Sequence, residues 1–333
     1  MIESALIVQP GFLGDAVLAT GLLRLLHNLS PTTNVGLLVR SEYSALFAKH
    51  PALGSLHAID KRSADDWRRV REEIRSCHYD LALIPHRSLR SQLVPYRADI
   101  PRRIGFRQSA SSFLCTDRVE YRIVDHELQR NASLLAAAGF DLEGKSPQSW
   151  LVPEESIVEL MRERYGGDTH PVVVAPGSVW PTKCWPEEYF ADLCCQLIEG
   201  EHTVLLVGSE KEGALCERIG ARAGLANDSQ LAGKLSLPEL SALLSIAGRV
   251  VTNDSAPLHI AEGVGTPVST IFGPTVPEFG FAPYLPASSL LQTSLPCRPC
   301  GIHGHQSCPI GTHECMQSVS VADVLASITF RDV

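Results

Sequence analysis

The chain has 333 residues, 44% of them hydrophobic and 20% charged, with a formal net charge of −8. This is globular composition, which excludes a disordered or fibrous protein, and the length predicts two domains with full cores. No apolar run reaches the ~18 residues of a spanning helix, and the opening MIESALIVQPGFLGD lacks the basic start of a signal peptide, so a cytoplasmic protein is expected.

An apolar run over 5–9, closed by Pro10-Gly11, predicts a buried parallel strand. A helix over 16–29 and a strand over 34–39 follow. A charged helix over 67–77, strands over 80–84 and 103–106, and a helix over 122–139 capped by Gly139 complete the first half. Residues 145–153 break the pattern as a linker. The second half predicts strands over 172–175, 203–207, 249–252 and 268–272. Its helices are predicted over 187–199, 211–223, 237–246 and 258–264. This alternation predicts an α/β fold of two Rossmann-like, doubly wound parallel-sheet domains, 1–150 and 151–318, facing a central cleft. Ligands are expected at the carboxyl ends of the strands. A terminal helix within 319–333 is expected to pack back on the first domain.

Charge is uneven. Residues 1–150 carry 19 Lys+Arg against 16 Asp+Glu, and residues 151–333 carry 10 against 21. The stretch 85–107 holds Arg87, Arg90, Arg97, Arg102, Arg103 and Arg107 against Asp99 alone. A solvated basic face is the plain reading of such a run. The functional one is a surface for an acidic partner, such as a phosphorylated or carboxylated glycan at a membrane, with Arg87, Arg90 and Arg103 as contacts. Nucleic acid is not expected, because the run lacks interleaved aromatic residues.

Four loops carry chemistry. After the first strand comes Gly11-Phe12-Leu13-Gly14-Asp15, whose spacing is not the G-x-G-x-x-G of a dinucleotide site. Asp15 is either the N-cap of the next helix or a general base for an acceptor hydroxyl. Pro176-Gly177-Ser178 and the following Thr182-Lys183 offer hydroxyls and a cation to a phosphate. Gly208-Ser209-Glu210 follows another strand, and Glu210 is either a helix-start acid or an acceptor of hydrogen bonds from ribose or adenine. The stretch Asn253-Asp254-Ser255-Ala256-Pro257-Leu258-His259 is a strand end, a polar loop and a helix start. Ser and Asp are good N-caps, Pro suits a first turn, and free N–H groups with the dipole's positive end there bind phosphate. His259 is a buried structural histidine or a further phosphate donor.

Gly14-Asp15, Pro176-Gly177-Ser178 with Lys183-x-Trp-Pro, Gly208-Ser209-Glu210, and 253–259 with Phe272-Gly273-Pro274-Thr275 together resemble the ADP-heptose:lipopolysaccharide heptosyltransferases of glycosyltransferase family 9, nearest the heptosyltransferase II branch. The resemblance covers nearly the whole chain in the same order. It implies a GT-B fold, with acceptor binding in the first domain (Gly14 and the arginines) and donor binding in the second. It also implies inverting transfer of heptose from ADP-heptose to the acidic inner core of lipopolysaccharide, at the cytoplasmic face of the inner membrane. Asp15 would be the base. Ser178, Thr182, Lys183, Gly208, Glu210, Asp254, Ser255, Ala256 and His259 would bind the donor, with Lys183 stabilising the leaving ADP. No Asp-x-Asp pair is present, so catalysis without a metal and without any cofactor is expected. The rival readings are a related transferase using another nucleotide sugar and a nucleotide-sugar-binding protein without activity.

Of ten cysteines, six read as scattered reduced thiols. Cys297, Cys300, Cys308 and Cys315 form a cluster with His303, His305 and His313. Four cysteines suit zinc or iron–sulfur ligation, but this spacing matches no zinc ribbon, and a metal-free loop is the favoured reading.

Overall fold

The computed structural model describes residues 2–167 and 170–328. The chain divides into two compact units, Met1–Val152 and Pro153–Val333. In the first, the elements are β1 (Ser4–Val8), α1 (Leu13–Leu29), β2 (Asn34–Arg40), β3 (Ser55–Ile59), α2 (Ala64–Ser76), β4 (Leu81–Ile84), α3 (Leu89–Arg97), β5 (Arg102–Phe106), β6 (Asp117–Val119) and α4 (Glu127–Ala137). They build one parallel sheet in the order β3-β2-β1-β4-β5-β6. β1 and β4 are buried on both faces, as apolar runs rather than alternating ones require. α1 buries eleven of its positions, from Gly14 to Leu26.

The second unit contains α5 (Glu155–Tyr165), β7 (Val172–Ala175), α6 (Glu187–Glu199), β8 (Val204–Leu206), α7 (Gly213–Ala223), α8 (Leu237–Ile246), β9 (Arg249–Asn253), α9 (Ala256–Gly263), β10 (Val268–Phe272), β11 (Ser289–Gln292), α10 (Glu314–Gln317) and α11 (Val321–Ala326). Its parallel sheet runs β11-β10-β9-β7-β8. Trp185 is almost fully buried in this core, and its indole N–H donates to the Val319 carbonyl at 2.9 Å. No helix among the described residues is long and apolar enough to cross a membrane.

The two parallel-sheet α/β units are those the alternation predicts. Six elements are additional: β6, β11 and α10 have three or four residues each, β3 is only partly buried, α5 buries only Val158 and Met161, and α3 lies inside the arginine-rich run. Short strands and mostly charged helices leave a weak periodic signal. The terminal helix is described only in part. Its described part is α11, whose Val324 is fully buried in the second unit's core, and the Ser327 hydroxyl donates to Ser269 at 2.7 Å. Residues 329–333 of the expected helix lie outside the described residues.

Candidate functional site

In an open parallel sheet, ligands collect where neighbouring strands send their connections to opposite sides. In the first sheet that point lies between β1 and β4. The loop after β1 delivers Asp15, and the loop after β4 delivers His86 and Arg87. Asp15 is not the N-cap of α1. Phe12 holds that place, and Asp15 stands at the third helical position, where Oδ2 accepts the Phe12 N–H at 3.2 Å. A Cβ on Gly11 would lie 2.6 Å from Gln9 Oε1, 3.1 Å from Asp15 Oδ2 and 3.3 Å from His86 Cδ2, so glycine lets three polar side chains approach one point.

Burial first, then the Glu127 carboxylate, push the Asp15 carboxyl up to about 6, against the Phe12 amide, Arg40 and Arg87. Glu127 is itself held by Arg130 at 2.9 Å and by the Tyr121 hydroxyl at 2.8 Å. Arg87 lies over the Tyr121 ring at 4.0 Å. Burial, followed by Lys61, Arg40 and Arg87, lowers His86 to about 4, so its ring is neutral at physiological pH. Its Nδ1 is 2.7 Å from the Ser91 hydroxyl. Asp15 is therefore a carboxylate of raised basicity among cations, suited to accept a proton near neutral pH.

The three arginines named in the sequence reading differ in their contacts. Arg87 faces Asp15; Arg90 donates to the Lys61 carbonyl at 3.0 Å and lies 5.9 Å from the Trp67 ring. Arg103 is tied to the carbonyls of Leu114 and Ile100 at 2.9 and 2.5 Å and stacks on Tyr96. Lys61 and Arg40, which the reading of the sequence missed, belong with Asp15: burial, then Arg40 and Arg90, lower the Lys61 ammonium, while Asp15 opposes that. No local pattern marks them, since they reach the site from β2 and from the loop after β3.

In the second sheet the equivalent point lies between β7 and β9. The loop after β7 leads through Gly177 and Ser178 to Lys183, and the loop after β9 supplies Asp254. They meet: Lys183 Nζ is 2.5 Å from Asp254 Oδ2, with both residues 9% exposed. Thr275, from the loop after β10, donates to the same Oδ2 at 2.6 Å. Asn253 fixes the loops to each other, accepting the Trp185 N–H at 3.0 Å and donating to the Pro176 carbonyl at 2.8 Å. α9 starts directly after Asp254, with Ser255 as N-cap and Pro257 in its first turn. The Ser255 side chain makes no cap bond and lies 3.2 Å from the Thr252 hydroxyl. Ala256 is partly buried at the helix start and His259 is buried. A cation and a threonine thus meet on one carboxylate directly before a helix start, and the ammonium and the helix-start N–H groups are of the kind that bind phosphate.

Thr182 and Glu210 have different surroundings. The Thr182 hydroxyl donates to the His305 carbonyl at 3.0 Å and accepts the His305 N–H at 2.7 Å, so its single proton is engaged within the protein. Glu210 is exposed at the edge, and Glu212 instead faces the β7 loop: a Cβ on Gly177 would lie 1.8 Å from Glu212 Oε1, and one on Gly208 would lie 3.2 Å from Glu212 Oε2. Glu212 also accepts from Ser209 N at 2.6 Å. The capping-box spacing Ser209-x-x-Glu212 was the signal that could have found it.

The cysteine segment is part of this site's frame. His313 Nε2 is 2.9 Å from the Thr182 carbonyl, and Cys300 N–H donates to the Pro274 carbonyl at 3.0 Å. The Arg298 guanidinium donates to the carbonyls of Gly273 and Thr293, to Thr275 at 2.8 Å and to Gln292 Oε1 at 2.9 Å. All ten cysteines are free thiols. Among the described residues, Cys297, Cys300, Cys308 and Cys315 do not converge with any neighbour into a metal-holding set.

A family model, glycosyltransferase family 9 (heptosyltransferase), matches residues 67–307. Lipopolysaccharide heptosyltransferase 2 of Salmonella typhimurium is 26% identical over 296 residues, covering 82% of this chain and 84% of its own. The structure of E. coli ADP-heptose lps heptosyltransferase II superposes with a TM-score of 0.79 at 22% identity, covering 97% of each chain. That of E. coli heptosyltransferase WaaC with ADP-2-deoxy-2-fluoro heptose gives 0.75 at 17%, covering 96% of this chain and 97% of the other.

Proposed function

The chain belongs to glycosyltransferase family 9, the heptosyltransferases, and on that premise we propose that it moves heptose from ADP-heptose to the inner core of lipopolysaccharide with inversion. The names of its relatives support the donor and acceptor classes. The observation that carries the reading is Asp15, whose carboxyl is raised to about 6 at the switch point of the first sheet.

The step is a single displacement. Asp15 takes the proton of the acceptor hydroxyl as that oxygen attacks the anomeric carbon from the face opposite ADP. The bond from the anomeric carbon to the diphosphate oxygen breaks, and ADP leaves with the electron pair. Lys183 and the N–H groups opening α9 meet the charge that develops on the diphosphate, where preorganised donors act most strongly. Asp254 holds the ammonium in place. These groups fill the part a divalent cation would play, so turnover should persist in a chelator. Arg87 and its neighbouring cations attract an acidic acceptor, which is lipid-anchored and would bring the enzyme to the inner membrane surface. In this reading Ser178, Gly208 and Glu212 would meet the nucleoside, and His259 would back the diphosphate.

The test is ADP release from ADP-heptose with and without a defined inner-core acceptor, together with thermal shifts in ADP, UDP and GDP. Acceptor-dependent release and the largest shift with ADP are expected. A larger shift with UDP or GDP, or no release with any heptose-accepting core, overturns the assignment.

A further inference from the structure

The cations of the first unit do not end at Asp15. α2 and α3 pack side by side and leave a groove between them. Its upper part, a cavity of about 440 Å³, is lined by Arg62, Arg68, Arg71, Arg90 and Arg97, with Trp67 among the apolar residues of its wall. Its lower part, about 630 Å³, is lined by Arg71, Arg75, Arg97 and Arg103 with Tyr96. Arg71 and Arg97 belong to both, so the two parts adjoin. Seven guanidinium groups face a lining whose single acid is Asp99. Three of the seven have carboxylate partners: Arg68 with Asp65 at 3.4 Å, Arg71 with Glu72 at 3.2 Å and Arg75 with Asp99 at 2.7 Å. These partners are themselves exposed, and such pairs hold weakly in water. The groove keeps a strong positive excess in a chain whose net charge is −8.

Its direction is informative. Arg62 and Arg90 stand at the helix starts, beside Lys61 and the Asp15 loop; Arg75, Arg97 and Arg103 stand at the opposite ends. α2 has 13 residues, so the groove runs ~20 Å from the reaction site. Guanidinium groups are the side chains that grip phosphate with two parallel hydrogen bonds. A single phosphate needs one or two of them, and seven along such a path suit several phosphates on one extended molecule.

We infer that the α2–α3 groove holds phosphate groups of the acceptor glycolipid at a distance from the hydroxyl that reacts. The inference rests on the heptosyltransferase reading. It gives Arg103, which lines the groove beside Tyr96, a place in acceptor binding, and it gives the arginines of α2 and α3 one shared role.

The test measures binding without turnover. A detergent-dispersed, phosphorylated inner-core glycolipid and the same molecule stripped of phosphate are titrated against the full chain and against R71A/R97A. R68A/R97A, which alters only exposed side chains, is carried in parallel, and ADP binding in the second unit reports that each variant is folded. Loss of two charge-assisted contacts should weaken the phosphorylated glycolipid about 10- to 100-fold and move the stripped one by less than about twofold. Equal weakening of both forms, or none, overturns the assignment. Phosphatidylglycerol vesicles form the last arm: weakening seen with them and absent with the dispersed glycolipid makes the groove a membrane-surface contact and also overturns it. Because no heptose is transferred, failure of the donor assignment leaves this result standing, and the turnover assay exposes that failure separately.

Discussion

Lys183 and Asp254, 71 residues apart in the chain, share a contact of 2.5 Å between Nζ and Oδ2, and each is about nine-tenths buried. Neither side chain would be stable there as an unpaired charge. The pair supplies an ammonium fixed in direction at the opening of α9, with Thr275 on the same carboxylate oxygen.

D254N leaves the Lys183 ammonium without its counter-charge. Breaking a buried pair from one side costs about 3–5 kcal/mol, and partial water access here places the loss at the low end. Chemical denaturation should show a reduced midpoint with unchanged slope. ADP binding should weaken as well, because the ammonium is no longer aimed. A D254N protein as stable as the parent would contradict the pairing.

Asp15 gives opposite effects on rate and stability. As the general base it should be worth about 10²–10⁴-fold in turnover, lost in D15N with ADP binding retained. The acidic limb of the rate profile should fall near pH 6, where the carboxyl titrates. Its folded value lies above the ordinary 3.8, so the folded state holds the proton more tightly than the unfolded one. This contribution to stability is full below the unfolded value, declines as pH rises toward about 6, and is absent above that. At pH 7.5, D15N should therefore melt higher than the parent. Lower melting of D15N, or an acidic limb near pH 4, counts against the raised carboxyl.

Arg298 is a positioning residue. Its guanidinium gathers the backbone carbonyls of the 272–275 turn and presents Thr275 to Asp254. R298A should raise KM for the donor about tenfold while changing kcat less, since it removes order from a binding loop rather than a reacting group. R298K keeps the charge without the planar fork and should recover only part. Equal KM values in the parent and R298A would remove it from the site.

G177A tests how closely Glu212 approaches the β7 loop. A Cβ there meets Glu212 Oε1 at 1.8 Å, and relief by backbone or side-chain movement costs about 1–3 kcal/mol. In an E212A background the same change should cost much less. Unfolding of the four members of this cycle gives the coupling directly; additive effects would show that the contact is not what excludes a side chain.

The sequence by itself determined the alternation of strands and helices, the two-unit organisation and the four loops at strand ends. Those signals are local: an apolar run such as 5–9 or a turn such as Pro176-Gly177-Ser178 is written in adjacent residues. It also marked Asp15, Lys183 and Asp254, because each follows a buried strand within a short polar loop. Only the tertiary structure decided what each group meets. Lys183 and Asp254 are joined because β7 and β9 are neighbours in the sheet. Asp15 becomes basic through its burial and through Glu127, 112 residues further along. The Thr182 hydroxyl is taken by His305, and the cysteine segment is fastened through His305 and His313 to the loop after β7. Two arginine sets that look like separate charged stretches become one groove when α2 packs on α3. Burial, ionic pairing and shared grooves are properties of chain segments brought together from far apart, and no local pattern encodes which segments those are.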